Sequence, residues 1–130
     1  MRPRRGLEER GSALVDFVLV TVVLVPLFLG ILQLALVLHV RNTLTSAASE
    51  GARYAATSDR GPADGVAKAR EQLDGVLGSS YGQDVEAHPL DIDGAPGIEV
   101  VIHATVPALA LGGPAVELTV RGTAIEEVGP

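Results

Sequence analysis

The sequence contains no cysteine and no tryptophan, and aromatic residues make up only 3% of it. Without cysteine, no disulfide framework can form, so an exported domain of this chain must be held together by packing or by its neighbours. At 130 residues the chain has room for one small domain. A hydrophobic content of 47% with so few aromatic side chains is unusual for a compact core, which raises the question of where the apolar residues lie.

Charged side chains are absent from residues 17–40, and this stretch is almost wholly apolar. It is long enough to cross roughly 30 Å of hydrocarbon as a helix that rises about 1.5 Å per residue. A secretory signal peptide is a competing interpretation, but its apolar region usually runs only about 7–15 residues. No small-residue cleavage site follows here at that distance. We therefore predict one transmembrane helix that stays in the mature protein.

The flanking charges predict the orientation of this span. Four arginines, at positions 2, 4, 5 and 10, precede it, whereas Arg41 stands alone after it. Because Lys and Arg near a span tend to remain cytoplasmic, the amino end is predicted inside and residues 41–130 outside. The exterior part carries thirteen acidic and six basic side chains, and this excess of negative charge argues against a nucleic-acid partner.

The helix is expected to continue beyond the membrane through residues 41–57, which contain strong helix formers and no proline. Small residues form two i, i+4 rows on one side of it, namely Ala47, Gly51 and Ala55 in the first row and Ala48, Ala52 and Ala56 in the second. Such a face lets another backbone approach closely. It either seats the chain's own sheet, the common arrangement that we favour, or packs against another subunit.

A second, amphipathic helix is predicted after this extension. Gly61 interrupts the first helix, and Pro62 is tolerated in the first turn of a new one. Apolar residues then recur at helical spacing as far as Leu77, and Gly78 ends the pattern. We expect this helix to cover the apolar face of the sheet described next.

Alternating apolar and polar residues in "GIEVVIHATVP" and "VELTVRGTAI" predict two half-buried strands. Gly112, Gly113 and Pro114 lie between them, so an antiparallel hairpin is the simplest connection. The pairs expected across it are Val106 with Val116 and Ala104 with Leu118. A weaker strand in "DVEAHPLDI" is predicted at an edge of the sheet, because Pro89 cannot donate a ladder hydrogen bond. The fold class predicted is therefore α+β, with an antiparallel sheet of two to three strands.

No pattern of catalytic or ligand-binding residues emerges from the sequence. His39, His88 and His103 are far apart and lack metal-ligand spacing. The "DIDG" stretch at residues 91–94 resembles the start of a calcium loop, but the later ligands and the required glycine are missing, so we interpret it as a turn before the hairpin. Neither a paired nucleophile and base nor a Gly-rich phosphate loop is present. We expect no enzyme, no metal or other cofactor and no small-molecule substrate.

The start of the apolar run carries a more specific pattern. A short basic leader ends in Gly11, Ser12 follows, and Asp16 and Phe17 occupy the fifth and sixth places counted from Ser12. This arrangement ahead of an apolar helix resembles the processing site of type IV prepilins. Residues 10–56 resemble the TadE-like pseudopilins of bacterial tight-adherence (Flp, type IVb) pilus systems, down to the internal proline and the stretch "RNTLTSAASEGARYA". That family usually has Glu where this chain has Asp16.

The resemblance implies a membrane-anchored assembly subunit, a minor pseudopilin, for a Flp-type pilus or a related secretion apparatus. Its organisation would be a cleaved leader at residues 1–11, a transmembrane helix at 12–40, an exterior helix at 41–57 and an exported head at 58–130. Its partners would be the cell membrane, a prepilin peptidase, other pseudopilins and the platform proteins of pilus assembly. The subunit would enter the fibre, cap it or prime its assembly. The rival interpretations are an uncleaved single-span adaptor and a secreted binding domain released by signal peptidase.

Asp16 acquires a physical role in the pilin interpretation. Cleavage between Gly11 and Ser12 would create a cationic amine about 6 Å along the helix axis from Asp16. A carboxylate that meets an amine in a low dielectric stays charged, so the pair would fix the register of its own or a neighbouring subunit. The alternative is that Asp16 reaches the cytoplasmic interface without a partner. Deeper in the span, Gln33 is a candidate for an interhelical hydrogen bond.

Overall fold

The computed structural model describes residues 3–57, 59–78, 81, 83–108 and 115–127, with side chains from residue 8 onward. In chain order its elements are α1 (Pro3–Ala55), α2 (Pro62–Val76), β1 (Asp84–Ile92), β2 (Ala95–Val106) and β3 (Val116–Ile125). The predicted α+β class is confirmed. The predicted exterior helix is the second part of α1, which runs without a break for 53 residues and contains Pro26.

The three strands of the described chain form one antiparallel sheet in the order β1-β2-β3. Val106 lies opposite Val116 and Ala104 opposite Leu118, which confirms the predicted register. β1 is an edge strand and contains Pro89, also as predicted. The predicted loop through Gly112, Gly113 and Pro114 lies outside the described residues.

The "DIDG" stretch contains the turn predicted before the β2–β3 hairpin, and this turn is also the tip of a hairpin of its own. It joins β1 to β2 through Asp93 and Gly94, whose φ angles are 52° and 87°. Two successive positive φ angles define the two-residue turn that matches the twist of antiparallel strands, and Asp-Gly is a preferred sequence for it. The Gly94 N–H also donates a hydrogen bond of 2.7 Å to the Asp91 carboxylate.

One face of the sheet forms the core with the helices. The largest fully buried side chains of this core are Val40, Leu44, Leu73, Ile98, Val100, Ile102 and Val106. Both helices were predicted to lie on this face, α2 through its apolar side and α1 through its small residues, and both do so. α2 packs mainly on α1 and, among the strands, on β1, whereas the carboxyl-terminal half of α1 covers β3 and part of β2. The small side chains of α1 allow this, because they let the helix settle directly on the strands.

Capping residues fix the ends of α2. The N–H of Gly61, the N-cap residue, donates to the Asp64 carboxylate at 2.9 Å, and Pro62 occupies the first turn. At the other end, Gly78 has a φ of 63° and donates to the carbonyl oxygen of Leu73 at 3.2 Å. Gly78 therefore terminates the helix as predicted, since its left-handed conformation is unfavourable for other residues.

Candidate processing and assembly site

The predicted cleavage position lies on a fully accessible part of α1. Gly11 and Ser12 are both exposed, and a side chain added at Gly11 would meet no atom within 4 Å. Nothing in the described chain covers the peptide bond between them. The bond lies in helical backbone, so its accessibility depends on the surroundings of the helix and not on the head.

Asp16 and Phe17 follow one helical turn further along. Both are exposed, Phe17 to 68%. Among the described residues the ion pairs join Glu99 to His88 and Arg121, and Asp16 takes part in none. A single copy of the chain therefore offers the Asp16 carboxylate no cation from the described residues, and the pairing predicted for it needs either the new amine at Ser12 or a neighbouring molecule.

The first half of α1 has the surface of a membrane span. By length and composition the helix can cross a bilayer, and none of its most apolar stretch is buried inside the structure, which distinguishes it from the core helix of a soluble protein. The only polar side chain between residues 17 and 32, Thr21, donates to the carbonyl oxygen of Phe17 at 2.7 Å. Its hydroxyl is thus satisfied within the helix, as a hydrocarbon environment requires.

The head meets α1 earlier than the sequence analysis expected. The Gln33 side-chain amide donates to the carbonyl oxygen of Pro107 at 3.3 Å, so it contacts the head; the predicted bond to a second span stays a prediction. Leu36 and Val37 pack against the hydrophobic core, and Val40 is completely buried in it. Part of the segment predicted to lie in the membrane, residues 12–40, therefore carries the head on one side.

The small-residue face of α1 is covered by the chain itself. Ala47, Gly51 and Ala55 are all buried. The backbones of α1 and α2 cross at Gly51, where an added Cβ would lie 2.8 Å from the carbonyl oxygen of Gly65. An added Cβ on Gly65 would in turn lie 2.7 Å from that of Ala55. The favoured interpretation was packing within the chain, and the structure adds that this face seats α2 as well as the sheet.

The helix just described, from the accessible Gly11 to the buried small-residue face, is the part of the chain that is similar to known proteins. Residues 11–53 match the TadE-like protein family. The resemblance stated from the sequence is thereby confirmed over this segment. No curated protein and no solved structure matches the chain.

Near its carboxyl-terminal end, the TadE-like segment makes contacts with the head that sequence reasoning missed. Gly122 of β3 lies directly under the helix, and a Cβ at this position would overlap backbone atoms of Ala48 and Ser49. A glycine inside an alternating strand pattern is a known sign of close backbone approach. That sign was available in "VELTVRGTAI" but does not say which element approaches.

A second missed contact lies directly after the end of the TadE-like segment. The Tyr54 ring contacts two cations, with the Arg60 guanidinium 3.8 Å and the Lys68 ammonium 5.5 Å from its centroid. Nearby, the Glu127 N–H donates to the carbonyl oxygen of Ala56 at 2.8 Å and so satisfies one of the free carbonyls at the end of the helix. Ala56 and Glu127 are distant in sequence, and the two cations lie beyond the break between α1 and α2, so no periodic pattern predicts these contacts.

The outer face of the sheet carries polar pairs outside the TadE-like segment. The His88 imidazole contacts the Glu99 carboxylate at 2.9 Å, and Arg121 reaches the same oxygen at 3.4 Å. His103 lies on this face too, 3.0 Å from the Thr119 hydroxyl. Within the described residues no group of three or more His, Cys, Asp or Glu side chains is placed to bind a metal ion. These contacts are cross-strand pairs of the kind that stabilise an exposed sheet face.

Proposed function

We propose that this protein is a membrane-anchored pseudopilin-like subunit that acts in the assembly of a tight-adherence (Flp-type) pilus or a related secretion apparatus, and that it is not an enzyme. One observation carries the proposal. The TadE-like match begins at Gly11 and runs through Asp16 and Phe17 to the helical segment that carries the head. Prepilin peptidase, other pseudopilins and assembly-platform proteins are the proposed partners, with the amino end cytoplasmic and the head outside.

The packing of the head on α1 supports an anchor that is retained. Signal peptidase would release a secreted domain only by removing the apolar run, and that run includes Leu36, Val37 and Val40. All three contribute to the core of the head. Their loss would expose apolar surface that the head now covers, so a released domain is the weaker alternative.

Cleavage after Gly11 gives Asp16 a partner. The new amine at Ser12 would lie about 6 Å below it along the helix, at the inner edge of the hydrocarbon, where the dielectric is lower than in bulk water. The mutual attraction of the two charges offsets part of their desolvation, and the pair fixes the axial position of the helix. Glu at this position would reach one methylene further and serve the same role.

Intact-mass measurement of the protein from its native membrane tests the proposal. A mature chain beginning at Ser12 is expected in cells that contain the peptidase, and a chain beginning at Met1 in cells that lack it. A chain beginning at Met1 in both would contradict the pilin proposal and favour the uncleaved adaptor. A start beyond residue 40 would favour the secreted domain.

Substitutions of Asp16 test its role separately from cleavage. Asp16→Ala is expected to permit cutting and insertion but to weaken assembly, because it leaves an unpaired ammonium near hydrocarbon. Asp16→Glu is the matched control and should assemble normally. Recovery of pilus or secretion complexes from the membrane, scored for this subunit, is the measurement. Normal assembly of the Ala variant would mean that Asp16 merely lies at the interface.

A further inference from the structure

The contacts between α1 and the head establish which end of the sheet faces the membrane span. Gln33 bonds to Pro107 at the end of β2, Ala48 lies against Gly122 in the middle of β3, and Ala56 bonds to Glu127 just after β3. β3 therefore runs along α1 in the direction that leads away from the span. The ends of β2 and β3 that lie next to Pro107 are level with Gln33, and the β1–β2 turn is at the opposite end.

The rise per residue of β3 and of α1 agrees with this alignment. Val116 precedes Gly122 by six residues of strand, or about 20 Å at about 3.3 Å per residue. The same distance along α1, at about 1.5 Å per residue, leads from Ala48 back to about residue 35. Two independent estimates thus place the start of β3 beside the residues where the head first touches the helix.

The length of the apolar run gives the position of the bilayer surface. Asp16 is the last charged residue before the run and Arg41 the first after it. With Asp16 at the inner boundary, about 20 helical residues span the roughly 30 Å of hydrocarbon, so the outer boundary falls near Leu36. The head therefore begins at the bilayer surface without an intervening stalk.

The end of the head next to the span carries fewer charged side chains than the opposite end, although the exposed carboxylates of Glu117 and Asp84 lie close to it on the outer face of the sheet. Residues 106–116 contain no charged side chain. Pro107 and Ala115 are exposed there. The opposite end carries the exposed carboxylates of Asp59, Asp93 and Glu127.

We propose that the end of the head formed by Pro107 and Ala115 docks on the lipid of the outer leaflet. The inference rests on the membrane anchoring proposed above. Lipid is the occupant because this end continues the exposed apolar surface of α1 at the level where that surface leaves the hydrocarbon. The docked end keeps the head in one orientation relative to the membrane.

Single-cysteine labelling tests the docking, since the chain contains no cysteine of its own. Ala115→Cys and Pro107→Cys place an environment-sensitive fluorophore at the proposed contact. Ala63→Cys is the matched control, because Ala63 is also exposed but lies in the first turn of α2, at the far end of the head. Val23→Cys reports insertion of the span. Each full-length variant is reconstituted in vesicles of phosphatidylethanolamine and phosphatidylglycerol that contain lipids with a nitroxide on the headgroup or on the acyl chain.

The headgroup nitroxide is expected to quench the labels at 107 and 115 several-fold more strongly than the label at 63, while the acyl-chain nitroxide quenches the label at 23. Equal, weak quenching at 115, 107 and 63, with strong quenching at 23, would overturn the docking and leave the membrane anchor intact. Weak quenching at 23 would overturn both. Protection of 107 and 115 from aqueous iodide without lipid quenching would mean that protein, such as a second copy, covers this end.

Discussion

The two halves of α1 have the same backbone and opposite surfaces. Leu24 in the first half is 53% exposed, whereas Leu44 in the second half is completely buried. The first half presents large, exposed apolar side chains. From residue 40 onward, the side of the helix toward the head consists of small residues together with Val40 and Leu44, and the side away from it is mainly polar. A membrane-facing helix needs hydrophobicity on all sides, while a helix that carries a head needs one face of small side chains. The two parts of the helix therefore differ in the size and polarity of their side chains and not in helix propensity.

Among the substitutions that test this comparison, the largest effect on stability is expected at Gly122. Gly122→Val places a side chain where α1 backbone already lies, and we expect a loss of about 4 kcal/mol, at the upper end for overpacking, or failure of the head to fold. Valine otherwise favours strands, so the loss isolates the clash with α1. Urea unfolding in detergent micelles can be followed by fluorescence of the two tyrosines, Tyr54 near the end of α1 where it contacts α2, and Tyr81 just before β1.

The control for this prediction is Gly75→Ala. Gly75 is exposed on α2, and an added Cβ would meet no atom within 4 Å. We expect a gain of about 0.5–1 kcal/mol, because alanine is the better helix former. If Gly122→Val and Gly75→Ala both had the same urea midpoint of unfolding as the wild type, this would show that α1 does not rest on β3.

The contrast between the halves of α1 is measured directly by a matched pair of leucine truncations. Leu44→Ala removes a fully buried side chain, and we expect the head to lose about 3 kcal/mol of unfolding free energy. Leu24→Ala makes the same chemical change on the exposed half and should leave the unfolding of the head unchanged in detergent. Similar losses from the two variants would contradict the division of the helix.

The small-residue face is tested at the crossing of α1 and α2. Gly51→Leu improves intrinsic helix propensity, yet the carbonyl oxygen of Gly65 leaves no room for a side chain. We expect a net loss of about 2 kcal/mol in the same unfolding experiment. Arg53→Lys, on the exposed side of the same turn, should have little effect. A stable Gly51→Leu variant would imply that α2 can move away from α1.

The smallest effect is expected where Tyr54 meets its two cations. Arg60→Gln removes the closer one, and we expect a loss of about 0.5–1 kcal/mol, typical of an exposed cation–π contact. Arg70→Gln changes the net charge equally at another exposed position and serves as the control. If the two variants unfold alike, the guanidinium over the ring contributes nothing measurable to the attachment of α2.

Much of this fold could be predicted because its signals are local. The apolar run, the Gly61-Pro62 restart of α2 and the alternation in β2 and β3 each come from consecutive residues, and the Val106–Val116 pairing follows from that alternation. Which helix covers which strand could not be predicted. That choice depends on Gly122 and Ala48, which are distant in sequence, and hydrophobic pattern alone does not rank two helices for one face.

The candidate site stays a prediction from the sequence. The positions of Gly11, Ser12, Asp16 and Phe17 came from a short motif, and the family match begins at that motif. The structure leaves this region exposed, so it adds little to what the motif states. The attachment of the head at Gln33 could not be read from the sequence, because a glutamine in an apolar run gives no indication that its partner is the carbonyl of Pro107.

The contact between Gln33 and Pro107 joins residues 74 positions apart, and it has a consequence for the order of folding. Such non-local contacts form late, because the chain between them must first be ordered. During synthesis α1 emerges first and can enter the bilayer while β3, which completes the cover over its small-residue face, has yet to be made. Until then Ala48 and its neighbours have no strand against them. In the membrane-anchored protein that we propose, the head would therefore fold on a helix that is already in place.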